Sequence, residues 1–287
     1  MQETWPTDIA RQVARILGSE PQVSAPGVLS GSTVQRLTGN GASLILKQSD
    51  NSREWHVYTR LADLFSRNGI NIPRLFAEAV SDNVWWLLLE DIKLELPAQR
   101  RLADVAVIQV LRNLHSLPVS GIDLPPNPYR PEWPEAMSRN ALTLFEAPVA
   151  ASLHEPLERI RRACAPLFEP HYPVSTDPNP ANWGVRSDGT PVLFDWERFT
   201  LGTPPLDLAI SVPGLGTCED YRLVSRAYAG DDRLAAAIAH AKTWSVIEFL
   251  CGCASGEIEP AFDINALVHR VPEWIGTEIM PMLDDMG

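Results

Sequence analysis

Cysteine, positive charge and long apolar runs are all scarce in this sequence, and each shortage excludes a class of protein. The four cysteines, Cys164, Cys218, Cys251 and Cys253, lack the paired spacing of a zinc site. Cys251-Gly252-Cys253 has no partner pair, so these residues read as helix-face thiols in a reducing compartment. No run approaches the roughly 18 apolar residues of a membrane span. The opening stretch, Met1 to Gln12, lacks the basic and apolar regions of a signal peptide, which gives the expectation of a cytoplasmic protein. Lys and Arg number 24 against 36 Asp and Glu, for a net charge of −12. That balance argues against a nucleic-acid or anionic-membrane partner and weakly favours a cationic ligand. Internal repeats and low-complexity tracts are also missing. What is plentiful is apolar residues, 45% of 287, enough for a sizeable core in one large domain or two lobes.

The most informative stretch runs from Ser175 to Glu197. Val192 to Phe194 reads as a buried strand and Gly184 to Arg186 as its partner, with Asp188-Gly189 as a two-residue turn. That register sets Asn182 opposite Asp195, where amide and carboxylate oxygens can converge on one hard cation. Asp177 precedes Asn182 on a loop stiffened by Pro178 and Pro180, and reads as a base beside a magnesium site. The bland alternative is turn chemistry followed by an ordinary hairpin.

The pattern Asp177, Asn182, then Asp195-Trp196-Glu197 resembles protein kinases and, more closely, the aminoglycoside phosphotransferase and choline kinase-like family. That family writes the first part as H-G-D-x-H-x-x-N. Gly202 to Ala209 (GTPPLDLA) resembles its G-D-P-x-x-D-L-A, and Arg112 to Pro118 (RNLHSLP) its L-x-x-L-H-x-L-P. Ser175-Thr176 stands where the family has His-Gly, and Asn179 where it has a second His. The resemblance implies an α+β, protein kinase-like two-lobe fold. A small antiparallel-sheet lobe is expected at residues 1–91 and a mostly helical lobe at residues 92–287.

Further expectations follow from that resemblance. Ser30, Gly31, Ser32 and Thr33 form a turn able to lie over phosphates, although a plain hairpin describes them equally well. Lys47 ends an apolar strand and would meet phosphates, held by Glu54 on the next helix; the alternative is a surface charge and a first-turn residue favoured by the helix dipole. Glu90, Asp91 and Ile92 are the hinge whose backbone would take the adenine edge. His115 reads as a packed helix-end residue. After Asp207-Leu208-Ala209 the chain is helical, and Trp244 and Glu248 on the longest helix are candidates for an acceptor pocket suited to an amine or a sugar.

The implied reaction moves the γ-phosphoryl group of ATP, or GTP, to a hydroxyl of an antibiotic such as an aminoglycoside, or of a metabolite. Asp177 would accept the hydroxyl proton, and Asn182 and Asp195 would hold Mg2+. The rival reading is a nucleotide-binding pseudokinase or regulatory module without turnover, favoured by Ser175-Thr176 and the glycine-poor loop. A monomer or a homodimer suits either.

Overall fold

The computed structural model describes residues 5–24 and 32–284. Its first part is a five-stranded antiparallel sheet in the order β1 (Gln22–Ser24), β2 (Ser32–Gly39), β3 (Ala42–Ser49), β5 (Val84–Glu90), β4 (Leu75–Ser81). The expected strand end at Val28-Leu29 and the turn residues Ser30 and Gly31 lie outside the described residues. Ser32 and Thr33 open β2, opposite Ser49 and Gln48. Asn40 and Gly41 turn β2 into β3 with positive φ at both, 48° and 79°, as a two-residue hairpin turn requires.

Strand alternation divides this sheet into two apolar faces. Leu37, Leu44, Leu46, Trp86 and Leu88 form the outer face, and Ile9, Val13 and Leu17 of α1 (Thr7–Leu17) cover it. Thr7 begins that helix instead of capping it from outside; Pro6 holds the cap position without a side-chain bond. Ile45, Lys47, Leu87 and Leu89 fall on the opposite face, since Lys47 pairs with Leu87 and Ile45 with Leu89. With both faces covered, β5 is apolar almost throughout, which explains the run Trp85 to Leu89. Under the inner face lie α2 (Arg53–His56), a π-turn at Val57–Leu61, and α3 (Ala62–Arg67). They bury Glu54, Val57, Tyr58, Leu61 and Phe65.

Past Glu90 the chain becomes mostly helical. β6 (Leu94–Glu95) joins β8 (Trp183–Val185) and β9 (Pro191–Leu193) in a small sheet. Asp104 caps α4 (Val105–His115) by accepting the Ala106 and Val107 N–H groups, each at 3.1 Å. A proline-rich crossing leads to α5 (Glu135–Leu142) and α6 (Ala147–Cys164), which has a proline in its first turn. β7 (Tyr172–Val174) and β10 (Thr200–Gly202) pair antiparallel, bracketing the stretch from Ser175 to Glu197. Then follow α7 (Pro204–Ser211), α8 (Cys218–Ala229), α9 (Ala235–Ser255), α10 (Ile264–Trp274) and α11 (Met280–Asp284). One continuous core links Phe65 and Leu87 of the sheet region to Trp196, Leu111 and Trp244 of the helical region. Among the described residues no helix is long and apolar enough to cross a membrane.

Candidate active site

The β8–β9 hairpin differs from expectation by one residue. Trp183 pairs with Leu193, Gly184 with Val192 and Val185 with Pro191. Asp188 Oδ1 accepts the Thr190 N–H at 2.9 Å and Gly189 takes φ 84°, so three residues turn between Arg186 and Thr190. This is the three-residue loop with a left-handed glycine, the next commonest hairpin after the two-residue turn. Asn182 therefore faces Phe194, whose N–H donates to its carbonyl at 3.0 Å. Asp195 lies one residue further, with left-handed backbone at φ 64°. The two residues do not form a cross-strand pair.

Asn182 is instead tied to the loop before it. Its Nδ2 donates to the Asp177 carbonyl at 2.9 Å and to Asp177 Oδ2 at 3.1 Å. Asn179 Nδ2 donates to Asp177 Oδ1 at 2.8 Å, so both carboxylate oxygens are oriented. Burial raises the Asp177 carboxyl to about 6, against the attraction of the nearby Arg198 guanidinium. Thr176, standing where the related families have glycine, adopts φ 56°. A β-branched residue in that region is strained, and three bonds hold it there. Asp207 Oδ1 accepts its N–H at 2.6 Å, Asp207 Oδ2 accepts the Ser175 N–H at 2.9 Å, and Thr176 Oγ1 donates to the Arg198 carbonyl at 2.7 Å. Asp207 is fully buried on α7 and meets His115 Nε2 at 2.9 Å. His115 is thus a buried support for the loop, remote from the reacting groups.

Lys47 joins the two halves of the site. Its ammonium pairs with Glu54 Oε2 and, at 2.9 Å, with Asp195 Oδ1. Burial works against its charge, but the two carboxylates outweigh that cost and hold its pKa above the ordinary value. Glu54 Oε1 also accepts the Trp196 N–H, at 3.4 Å. Glu197, quoted in the Asp-Trp-Glu motif but given no role from sequence, accepts a bond from Asn51 Nδ2 and ties the hairpin to the loop before α2.

The sheet pairing ends at Glu90, opposite Leu44. The side chains at the hinge are occupied: Glu90 by Arg186 at 2.7 and 3.0 Å, and Asp91 by Arg36 at 2.9 and 3.1 Å. Ile92 fills the space above Gly184, where a Cβ would meet it at 2.4 Å. Two cavities flank this hinge. The larger, about 700 Å³, is lined by Arg36, Asp91 and Lys93 and lies away from Asp177. The smaller, about 450 Å³, is lined by Ile92, Leu94, Gly184, Phe194 and Asn179 to Ala181, and touches the catalytic loop.

The two acceptor-pocket candidates part company. Trp244 is fully buried, donates to the Glu132 carbonyl at 3.0 Å and packs on Phe168, so it presents no face to a ligand. Its helix is apolar nearly all round, the mark of a buried helix and a signal against that assignment. Glu248 does line the site, and pairs with Arg198 at 2.5 Å. Tyr129, from the proline-rich crossing, donates to Glu248 Oε1 and lies under the Arg198 guanidinium at 4.2 Å. Sequence reasoning missed Arg198 and Tyr129. Only the adjacency of Arg198 to Asp195-Trp196-Glu197 could have signalled the first.

Comparison with solved structures returns kinase-like folds. A spectinomycin phosphotransferase in complex with ADP and spectinomycin superposes with a TM-score of 0.65 at 11% identity, covering 98% of each chain. A thermostable mutant of an aminoglycoside phosphotransferase, in ternary complex with AMP-PNP and hygromycin B, gives 0.62 at 14%, covering 94% of this chain and 98% of the other. A choline kinase from Streptococcus pneumoniae gives 0.61 at 16%, covering 93% and 97%. Comparison with curated protein sequences gives no match. A family model matches residues 23–249, from β1 into α9 and across every site residue described above, and by that match the chain belongs to the phosphotransferase enzyme family.

Proposed function

We propose that this phosphotransferase transfers the γ-phosphoryl group of ATP or GTP to a hydroxyl of a small molecule, with the nucleotide held between a lobe at residues 1–91 and one at residues 92–287. The carrying observation is convergence: Asp177, Asn182, Asp195 and Lys47 come from three separate segments and are linked in series, Asp177 to Asn182, Asn182 to Phe194 beside Asp195, and Asp195 to Lys47. Nucleotides in the structurally similar phosphotransferases support the donor. Ser175-Thr176 in place of His-Gly does not weaken the reading, because Asp207 and the Arg198 carbonyl hold Thr176 in the backbone conformation that glycine would supply.

Asp177 faces the acceptor, orients its hydroxyl and takes its proton as the oxygen attacks the γ-phosphorus and the bond to the β-phosphate oxygen breaks. Lys47 meets phosphate charge. Asn182 and Asp195 fit a hard cation, since each keeps one oxygen beyond the bonds described above. Among the described residues no three His, Cys, Asp or Glu side chains are grouped to hold a metal alone, so triphosphate oxygens would complete the set. Bound there, Mg2+ would neutralise charge on the β- and γ-phosphates. Asp177→Asn is the test. Its expected outcome is nearly unchanged magnesium-dependent nucleotide affinity by calorimetry, with transfer lowered at least about a hundredfold by ADP release. Unaltered transfer would remove Asp177 from the base position.

A further inference from the structure

The corner of the site beside Asp177 is built by Arg198, Tyr129 and Glu248, and the way these three satisfy one another selects an acceptor. Glu248 is the carboxylate that an amine-bearing acceptor would need. Both of its oxygens are occupied, Oε1 by the Tyr129 hydroxyl and Oε2 by Arg198 Nη2 at 2.5 Å. The Tyr129 ring face, the other surface attractive to a cation, is covered by the same guanidinium at 4.2 Å. Asp177 has both oxygens oriented by Asn179 and Asn182 and is reserved for the reacting hydroxyl. Every carboxylate oxygen described in this corner already accepts a hydrogen bond, so an ammonium would have to share one.

Hydrogen-bond donors are what remain. A guanidinium carries five N–H donors and no acceptor. The bonds described use Arg198 Nη2 alone, on a side chain 29% exposed, and leave its Nη1 donors free of them. Arg198 follows Asp195 by three residues, its carbonyl accepts from Thr176, the residue before Asp177, at 2.7 Å, and its charge acts on Asp177.

We propose that Arg198 is the specificity-determining group of the acceptor site, and that it selects a hydroxyl acceptor bearing a carboxylate over an amine-bearing one. This rests on the phosphotransfer reading and narrows it. The chain's net charge of −12 repels such an acceptor at long range, so the selection acts through short-range hydrogen bonds. Affinity for the anionic acceptor then rises with ionic strength.

The test uses probes of one skeleton and three charges. Glucuronate, glucose and glucosamine form one set; glycerate, glycerol and 3-aminopropane-1,2-diol form a second. Each is titrated by calorimetry into protein loaded with magnesium and AMP-PNP, and assayed separately for transfer by ADP release. The wild type should bind the carboxylate member of at least one set about tenfold or more tighter than the amine, as a charge-assisted hydrogen bond provides. Arg198→Gln should erase that ratio, Arg198→Lys should keep part of it, and Glu248→Gln should enlarge it by freeing the guanidinium. Equal or reversed affinities, or no binding in either set, would overturn the proposal. So would an Arg198→Gln protein that loses transfer equally for all acceptors, because Arg198 would then serve the phosphoryl group. Transfer to no acceptor, with the binding order intact, would instead count against the phosphotransfer reading alone.

Discussion

Lys47 and Arg198 are two partly buried cations of the candidate site, and they are neutralised differently. Lys47 sits between two carboxylates from two other segments, Glu54 and Asp195, and ties sheet, helix and hairpin together. Arg198 has one carboxylate and a tyrosine, and keeps a donor unused. The first arrangement is closed, which under the proposed function would suit a ligand of fixed chemistry, the triphosphate. The second leaves donors over, which under the same reading would suit the acceptor. A third buried cation, Lys242, supplies the reference: it donates to the Val212 carbonyl at 2.7 Å, and burial lowers its pKa to about 8. The cations with carboxylates hold their protons more tightly than usual, and the one without holds it less tightly.

The largest effect expected from this contrast belongs to Lys47→Ala. Removing it leaves Glu54 and Asp195 facing each other without a counter-charge, and breaking a buried pair costs about 3–5 kcal/mol. Denaturant titration should show that loss at neutral pH, and transfer should fall with it. A stable variant with wild-type transfer would return Lys47 to the role of a surface charge.

Next is Lys242→Met, read through pH. Between pH 8 and 10.5 the unfolded lysine binds a proton that the folded one does not, so wild-type stability rises with pH across that window. The methionine variant lacks this rise. It should exceed the wild type by about 3 kcal/mol at pH 7, less the lost hydrogen bond, with the gap closing toward pH 10.5. A constant gap would mean that Lys242 does not titrate there.

The smallest effect is on the stability of Arg198→Gln. Its side chain and that of Glu248 are 29% and 23% exposed, so solvent screens the charge left behind and about 1 kcal/mol is expected from thermal or denaturant melting. A loss as large as that of Lys47→Ala would make Arg198 a structural brace and not a reserve donor.

The sequence made the first cation legible and left the second obscure. Lys47 interrupts an apolar strand, and Glu54 follows within one turn of the next helix, so local pattern alone brings them near. Arg198 acquires meaning only from Tyr129 and Glu248, which are 69 and 50 residues away along the chain. The sheet was readable because alternation and the continuous apolar run of β5 report burial directly. The hairpin register was not, because Asp188-Gly189 suits both a two-residue and a three-residue turn. Only the packing of Trp183 against the Pro178 carbonyl and the rest of the loop decides between them. Trp244 shows the opposite failure, an aromatic assigned to a ligand when its own side chain is fully buried in the core.

Thr176 carries a consequence for the order in which the molecule assembles. Left-handed backbone at a β-branched residue does not persist unaided, and here it depends on a carboxylate that arrives 31 residues later, on α7. The loop bearing Asp177 therefore acquires its shape only after α7 has docked and carried Asp207 into the interior beside His115. Catalytic competence becomes a late event of folding and an early casualty of unfolding. Under rising denaturant, transfer should vanish before the helical circular dichroism signal falls, because the loop can open locally while the core persists.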